Sequence, residues 1–102
     1  MDKLIITAAL LGAGTTKAQT PHVPITPDEI VADSIECVKA GASCLHLHAR
    51  DKDGVNSMET EIFVEIVTKL RAKLKEEGLD AVINLTTSGS KFSDELRLAH
   101  LP

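Results

Sequence analysis

Three short apolar runs, separated by two amphipathic stretches, constrain this chain more than any other feature. Leu4-Ile5-Ile6-Thr7-Ala8-Ala9 is continuous and β-branched, the pattern of a strand buried on both faces. Ser43 to His48 and Ala81 to Leu85 are the second and third runs. Before the second run, Thr26 can cap a helix and Pro27 sits at the first helical position, where its missing N–H costs nothing. Glu29 completes a Thr-x-x-Glu capping box. Ile30, Ile35 and Val38, with Val31 and Ala32 beside them, supply a buried stripe, and Gly41 a left-handed stop. A second helix is predicted from near Ser57 to about Glu77: Ile62, Ile66, Leu70 and Leu74 recur at steps of four, Phe63 and Val67 widen that face, and Gly78 ends it. Lys69, Arg71, Lys73 and Lys75 lie late in it, where cations complement the helix dipole. Ser93-Asp94-Glu95-Leu96 opens a third helix that has run only a turn or two by Pro102. Helices between successive strands make the strands parallel, so the expected class is α/β, ordered β-α-β-α-β with right-handed crossovers.

The second run carries the residues with chemical interest. Side chains alternate across a strand, so His46 and His48 project from one face and Leu45 and Leu47 from the other. Neighbouring imidazoles on one face suit Zn²⁺, which at catalytic sites takes three protein ligands and leaves a position open. The plainer alternative is two polar residues at a strand end, satisfied by backbone and water. On the third run Asn84 and Thr86 share a face as well. If the two polar faces coincide, these groups converge at the carboxyl ends of adjacent parallel strands, where the active site of a (β/α)₈ barrel sits. Core packing explains such a cluster poorly, because each buried polar group without a partner costs roughly 1–3 kcal/mol.

Other signals exclude more than they suggest. Gly12-Ala13-Gly14-Thr15-Thr16 follows a strand but lacks the spacing of a nucleotide loop. Asp51-Lys52-Asp53-Gly54 starts like a calcium loop, yet Ile62 stands at the closing position, so a solvated turn is expected. A net charge of −4 and two phenylalanines as the only Phe, Trp or Tyr offer nucleic acid neither a basic face nor a stacking platform. No apolar run approaches the roughly 20 residues of a spanning helix, and Met1-Asp2-Lys3-Leu4 lacks the start of a secretory signal. Neither a nucleic acid nor a membrane is therefore expected as a partner. Cys37 and Cys44 are read as reduced, buried and structural, consistent with a cytoplasmic protein. His22 and His100 have no assigned role, and a surface position is expected for His22.

Across its length the chain resembles the β-keto acid cleavage enzymes, whose type activity is 3-keto-5-aminohexanoate cleavage. The matching pieces are Thr7-Ala8-Ala9 with Gly12-Ala13 and Thr15-Thr16, then Pro24-Ile25-Thr26-Pro27-Asp28-Glu29, then Ala40-Gly41-Ala42-Ser43 running into His46-Leu47-His48-Ala49-Arg50. Asp53-Gly54, Thr86-Thr87-Ser88-Gly89 and Arg97-Leu98-Ala99 continue it. The resemblance implies a zinc-dependent TIM barrel that cleaves a β-keto acid with acetyl-CoA, giving acetoacetate and a new acyl-CoA. It places His46 and His48 on the family's zinc-binding histidines and Thr86 where a substrate-side serine is usual. Gly14 falls where enzymes acting on amino-bearing substrates have a glutamate, which points to a neutral or differently charged β-keto acid. Thr86, Ser88 and Gly89, with Gly14, are thus the expected substrate-binding residues.

A complete barrel takes about 250 residues, and this chain has 102. Residues 1–102 are therefore expected to be a single partial domain: the first three strands, the first two helices and the start of a third. By resemblance, a glutamate ligand and the general base lie beyond Pro102. A homo-oligomer is expected of the enzyme. The isolated polypeptide is expected to bind metal weakly, cleave nothing and self-associate through unpaired sheet edges. Two other readings remain: a metal-dependent hydrolase of the barrel type, and a non-catalytic fragment whose histidines are structural.

Overall fold

The computed structural model describes residues 3–89 and 91–102. Met1, Asp2 and Ser90, which belong to the expected N-terminal opening and to the loop after the third strand, lie outside the described residues. The elements are β1 (Thr7–Ala9), α1 (Pro27–Lys39), β2 (Cys44–Leu47), β3 (Ala49–Arg50), β4 (Asn56–Ser57), α2 (Thr60–Glu76), β5 (Val82–Leu85) and α3 (Asp94–Leu98). β1, β2 and β5 form one sheet in that order, parallel throughout, with Ala9 beside His46 and His46 beside Asn84. Chain order and sheet order coincide, as the opening of a (β/α)₈ barrel requires. Among the described residues, no helix is long and apolar enough to cross a membrane.

The capping signals act as read. Thr26 Oγ1 accepts the Glu29 N–H at 3.1 Å and the Glu29 carboxylate accepts the Thr26 N–H at 3.1 Å, closing the box. Lys17 donates to the same carboxylate at 2.6 Å. That Lys17 bond, then the Thr26 N–H, holds the Glu29 carboxyl down at about 2. Its folded pKa lies below the ordinary 4.5, so the pair adds stability above about pH 4.5 that is lost as pH falls toward 2. Both side chains are exposed enough for water to screen them, which limits the contribution to under about 1 kcal/mol. Urea midpoints of the wild type and Glu29→Gln, compared near neutral pH and near pH 2, should differ only at the higher pH.

One sheet face is covered and the other is open. Ala8, Leu45, Leu47, Ile83 and Leu85 turn toward α1 and α2 and join a core of Ile30, Val31, Ile35, Phe63, Ile66, Leu70 and Leu74. Cross-helix ion pairs, Lys69 to Asp28 at 2.9 Å and Lys39 to Glu77 at 2.9 Å, register the helices on the outside. Thr7, Ala9, Val82 and Asn84 are exposed on the opposite face, with Cys44 and His46 half-buried between them.

The structure corrects four expectations. The first strand begins at Thr7 rather than Leu4, and within this part of the barrel Leu4 is 84% and Ile5 76% exposed, with β2 the one strand paired to β1 among the described residues. The second run ends as a sheet strand at Leu47. Ala49–Arg50 then turns into an antiparallel ribbon with Asn56–Ser57. Asp51 Oδ1 accepts the N–H groups of Asp53 and Val55, and Gly54 takes φ 80°, so the polar turn is a hairpin tip. That ribbon claims Ser57, so α2 starts three residues later than predicted, at Thr60. Finally, Cys37 and Cys44 are free as expected but half-buried rather than buried. Burial, then Asp33 and Glu36, raises the Cys37 thiol pKa.

Candidate functional site

The open face of the sheet brings the polar residues together at the carboxyl end of its central strand. His46 is the third residue of β2 and His48 the first beyond it; their rings stand edge to face with centroids 5.2 Å apart. Asn84, the register partner of His46 on β5, approaches it with Oδ1 2.5 Å from Nδ1. The coincidence of the two polar faces follows from the register, since a one-residue slip would have turned Asn84 to the helix side. His48 is only 9% exposed, and its Nδ1 is buried without a hydrogen-bond partner. Burial, with smaller effects from His46 and Arg50, lowers its pKa and favours the neutral imidazole, the form that ligates metals.

Thr86 continues the ladder past β5. Its N–H donates to the Leu47 carbonyl at 3.0 Å, which sets it level with His48, and its side chain is buried. Thr86 Oγ1 accepts the Ser88 N–H at 3.2 Å and lies 2.9 Å from Ser88 Oγ, so the two hydroxyls form one local turn. Arg97, at the end of the loop on α3, donates to the Thr87 carbonyl at 3.0 Å and pins it. Gly89 is buried beneath other side chains: a Cβ there would stand 2.7 Å from Met58 Cγ, 3.0 Å from Phe92 Cδ2 and 3.1 Å from Arg97 Cγ. Gly89→Ala should therefore cost about 1–3 kcal/mol by overpacking, read as a fall in the urea midpoint.

Gly14 lies apart from the histidines, in a cleft of about 520 Å³ lined by Arg50, Asp53, Asn56, Lys91 and Phe92 among others. No atom is within 4 Å of where a Cβ on Gly14 would stand, so the position is open to a larger residue. Arg50 links this cleft to the metal-type pair. It is the last residue of β3, is 3% exposed, and spends its five N–H donors on the carbonyls of Leu11, Gly12, Thr15 and Gly54 at 2.9–3.2 Å. No carboxylate is among these partners, so a buried cation is held by backbone dipoles alone. Arg50 thereby ties the loop carrying Gly14 to the strand carrying His46 and His48. Sequence reasoning named Arg50 without giving it this task; the available signal was a charged residue directly ending an apolar strand. His22 is exposed, as expected, and His100 stacks on Phe63 with centroids 4.3 Å apart.

Two imidazoles that present nitrogens from one strand face, one of them buried and unpaired, suit part of a zinc-type ligand set. Among the described residues, no group of three His, Cys, Asp or Glu side chains completes it. What this chain can do chemically is supply two imidazoles, two adjacent hydroxyls and an anchored loop to one end of a barrel sheet.

Comparison with known proteins supplies the context for that partial set. The chain is 43% identical over 99 residues to the 3-keto-5-aminohexanoate cleavage enzyme of Acetoanaerobium sticklandii, covering 96% of this chain and 35% of that protein. It is 39% identical over 102 residues to the 3,5-dioxohexanoate:acetyl-CoA acetone transferase of Paraburkholderia graminis, covering 96% and 31%. The chain thus spans about a third of the length of these curated relatives. Among solved structures, apo ObcA superposes with a TM-score of 0.70 at 28% identity, over 83% of this chain and 20% of that one. Its ternary complex with a C4-CoA adduct and oxalate gives 0.69 over the same share of this chain. The parallel sheet with alternating helices is accordingly the N-terminal β-α-β-α-β portion of a TIM barrel. The beta-keto acid cleavage enzyme profile matches residues 3–102, the whole stretch that carries the strands, the histidine pair and the hydroxyl loop, and the chain belongs to that family.

Proposed function

We propose that the full-length protein is a zinc-dependent β-keto acid cleavage enzyme that uses acetyl-CoA and releases acetoacetate and a new acyl-CoA. The observation that carries this reading is the His46–His48 pair at the carboxyl end of the central strand, with its buried unpaired nitrogen. In the balanced reaction the carbon bearing the carboxylate leaves the keto-acid acyl group and joins the acetyl group, while that acyl group takes the CoA thiolate. His46 and His48 would hold Zn²⁺, which as a Lewis acid stabilises negative charge developing on the keto oxygen. The Thr86 and Ser88 hydroxyls, preset by their shared turn, orient the substrate carboxylate. Arg50 holds the Gly14 loop in register beside them. Gly14 offers no carboxylate to a substrate ammonium, so a neutral or anionic β-keto acid is preferred. The third ligand and the general base come from the part of the barrel outside this chain, and residues 1–102 alone are inactive. The enzyme is cytoplasmic, a reading supported by the two free cysteines, and homo-oligomeric.

The test is acetoacetate release by the intact enzyme from a panel of neutral, carboxylated and amino-bearing β-keto acids with acetyl-CoA, alongside metal analysis. Turnover with bound zinc supports the proposal. Absence of acetoacetate with every substrate, or hydrolysis of esters or amides in its place, would overturn it in favour of a barrel hydrolase.

A further inference from the structure

We propose that Asn84 is the positioning residue of His46, fixing its ring orientation and tautomer so that Nε2 is the nitrogen offered to the metal. This rests on the metal reading above and deepens it. Asn84 is a poor strand former placed inside a four-residue register match between β2 and β5. It has no role in the core, because it faces the open side of the sheet and is exposed. What it does contact is Nδ1 of His46, at 2.5 Å through Oδ1. An amide oxygen accepts only, so this contact calls for a proton on His46 Nδ1, and the Nδ1–H tautomer carries its lone pair on Nε2. Partners of this kind fix the tautomer of ligating histidines, and their loss weakens metal affinity by about 10–100-fold.

The two histidines are therefore unequal. His48 Nδ1 has no hydrogen-bond partner among the described residues, so no hydrogen bond at that nitrogen sets its tautomer. His46 is the preset donor, and its orientation comes from the neighbouring strand. The pairing depends on register: Asn84 reaches His46 because the two residues are Cα partners across a parallel ladder.

The experiment compares wild type, Asn84→Leu and Asn84→Asp in the intact enzyme. Long-range ¹H–¹⁵N correlations on the metal-free protein should show His46 as the Nδ1–H tautomer in the wild type and in Asn84→Asp, and shifted toward Nε2–H in Asn84→Leu. Calorimetric Zn²⁺ affinity should fall by about 10–100-fold in Asn84→Leu and stay at or above wild type in Asn84→Asp, with circular dichroism unchanged. An Nε2–H wild type, or an Asn84→Leu variant with unmoved tautomer and affinity, would overturn the assignment. If the wild type binds no Zn²⁺, the metal reading fails, while the tautomer data still decide whether Asn84 sets the ring.

Discussion

On the proposed zinc reading, His48→Ala is expected to leave the intact enzyme without stoichiometric zinc and to lower turnover by at least about 10²-fold, the scale of losing one electrostatic donor to a reacting centre. His46→Ala does the same, and the double variant is scarcely worse than either single one, because the residues act as a unit on one ion. Metal content and turnover of the three variants check this. A readout on the metal-free protein separates function from folding. His48 keeps a buried nitrogen unpaired, at a cost of roughly 1–3 kcal/mol. Removing that ring relieves the cost while leaving a cavity, so the thermal midpoint of the metal-free protein should move little. A large loss of stability with metal binding intact would show that His48 is structural.

Arg50→Met is expected to destabilise the fold by several kcal/mol, since each buried carbonyl left without its donor costs roughly 1–3 kcal/mol. Four backbone carbonyls, on Leu11, Gly12, Thr15 and Gly54, lose a charged donor at once, and all sit outside the helices and strands, without a ladder to replace it. Arg50→Lys recovers only part, since an ammonium has three donors and no planar fork to span carbonyls on two loops. Urea midpoints give the stabilities. Hydrogen exchange gives the location: amides of residues 11–16 should exchange faster in both variants, with those of α1 and α2 unchanged in Arg50→Lys. A loss under about 1 kcal/mol in Arg50→Met would mean that water replaces the guanidinium and that the loop does not depend on it.

These two residues show why some of the site was legible in advance and some was not. The shared face of His46 and His48 follows from strand alternation, which is a local rule. The α1 boundaries were readable for the same reason, because Thr26, Pro27, Glu29 and Gly41 act on backbone within a turn of themselves. The antiparallel ribbon was not, since Val55-Asn56-Ser57 has no helix-breaking residue and its pairing partner is Ala49–Arg50 across a turn. The carbonyl cage of Arg50 was hidden because its partners lie 35–39 residues upstream or across the hairpin, and backbone acceptors carry no sequence signature. Leu4 to Ile6 precede the observed strand, which starts at Thr7, although the run is apolar enough to extend it.

Taken alone, the amino-acid order determined the alternation of strands and helices, the caps, the side on which the core forms and the pairing of two imidazoles, since each depends on periodicity or on neighbours a few residues away. Tertiary structure alone decided that Asn84 meets His46, that Thr86 stands level with His48 and that Arg50 fastens the Gly14 loop. Those contacts join residues about 35–40 apart, and parallel register and loop path, set by packing the whole sheet on its helices, choose them.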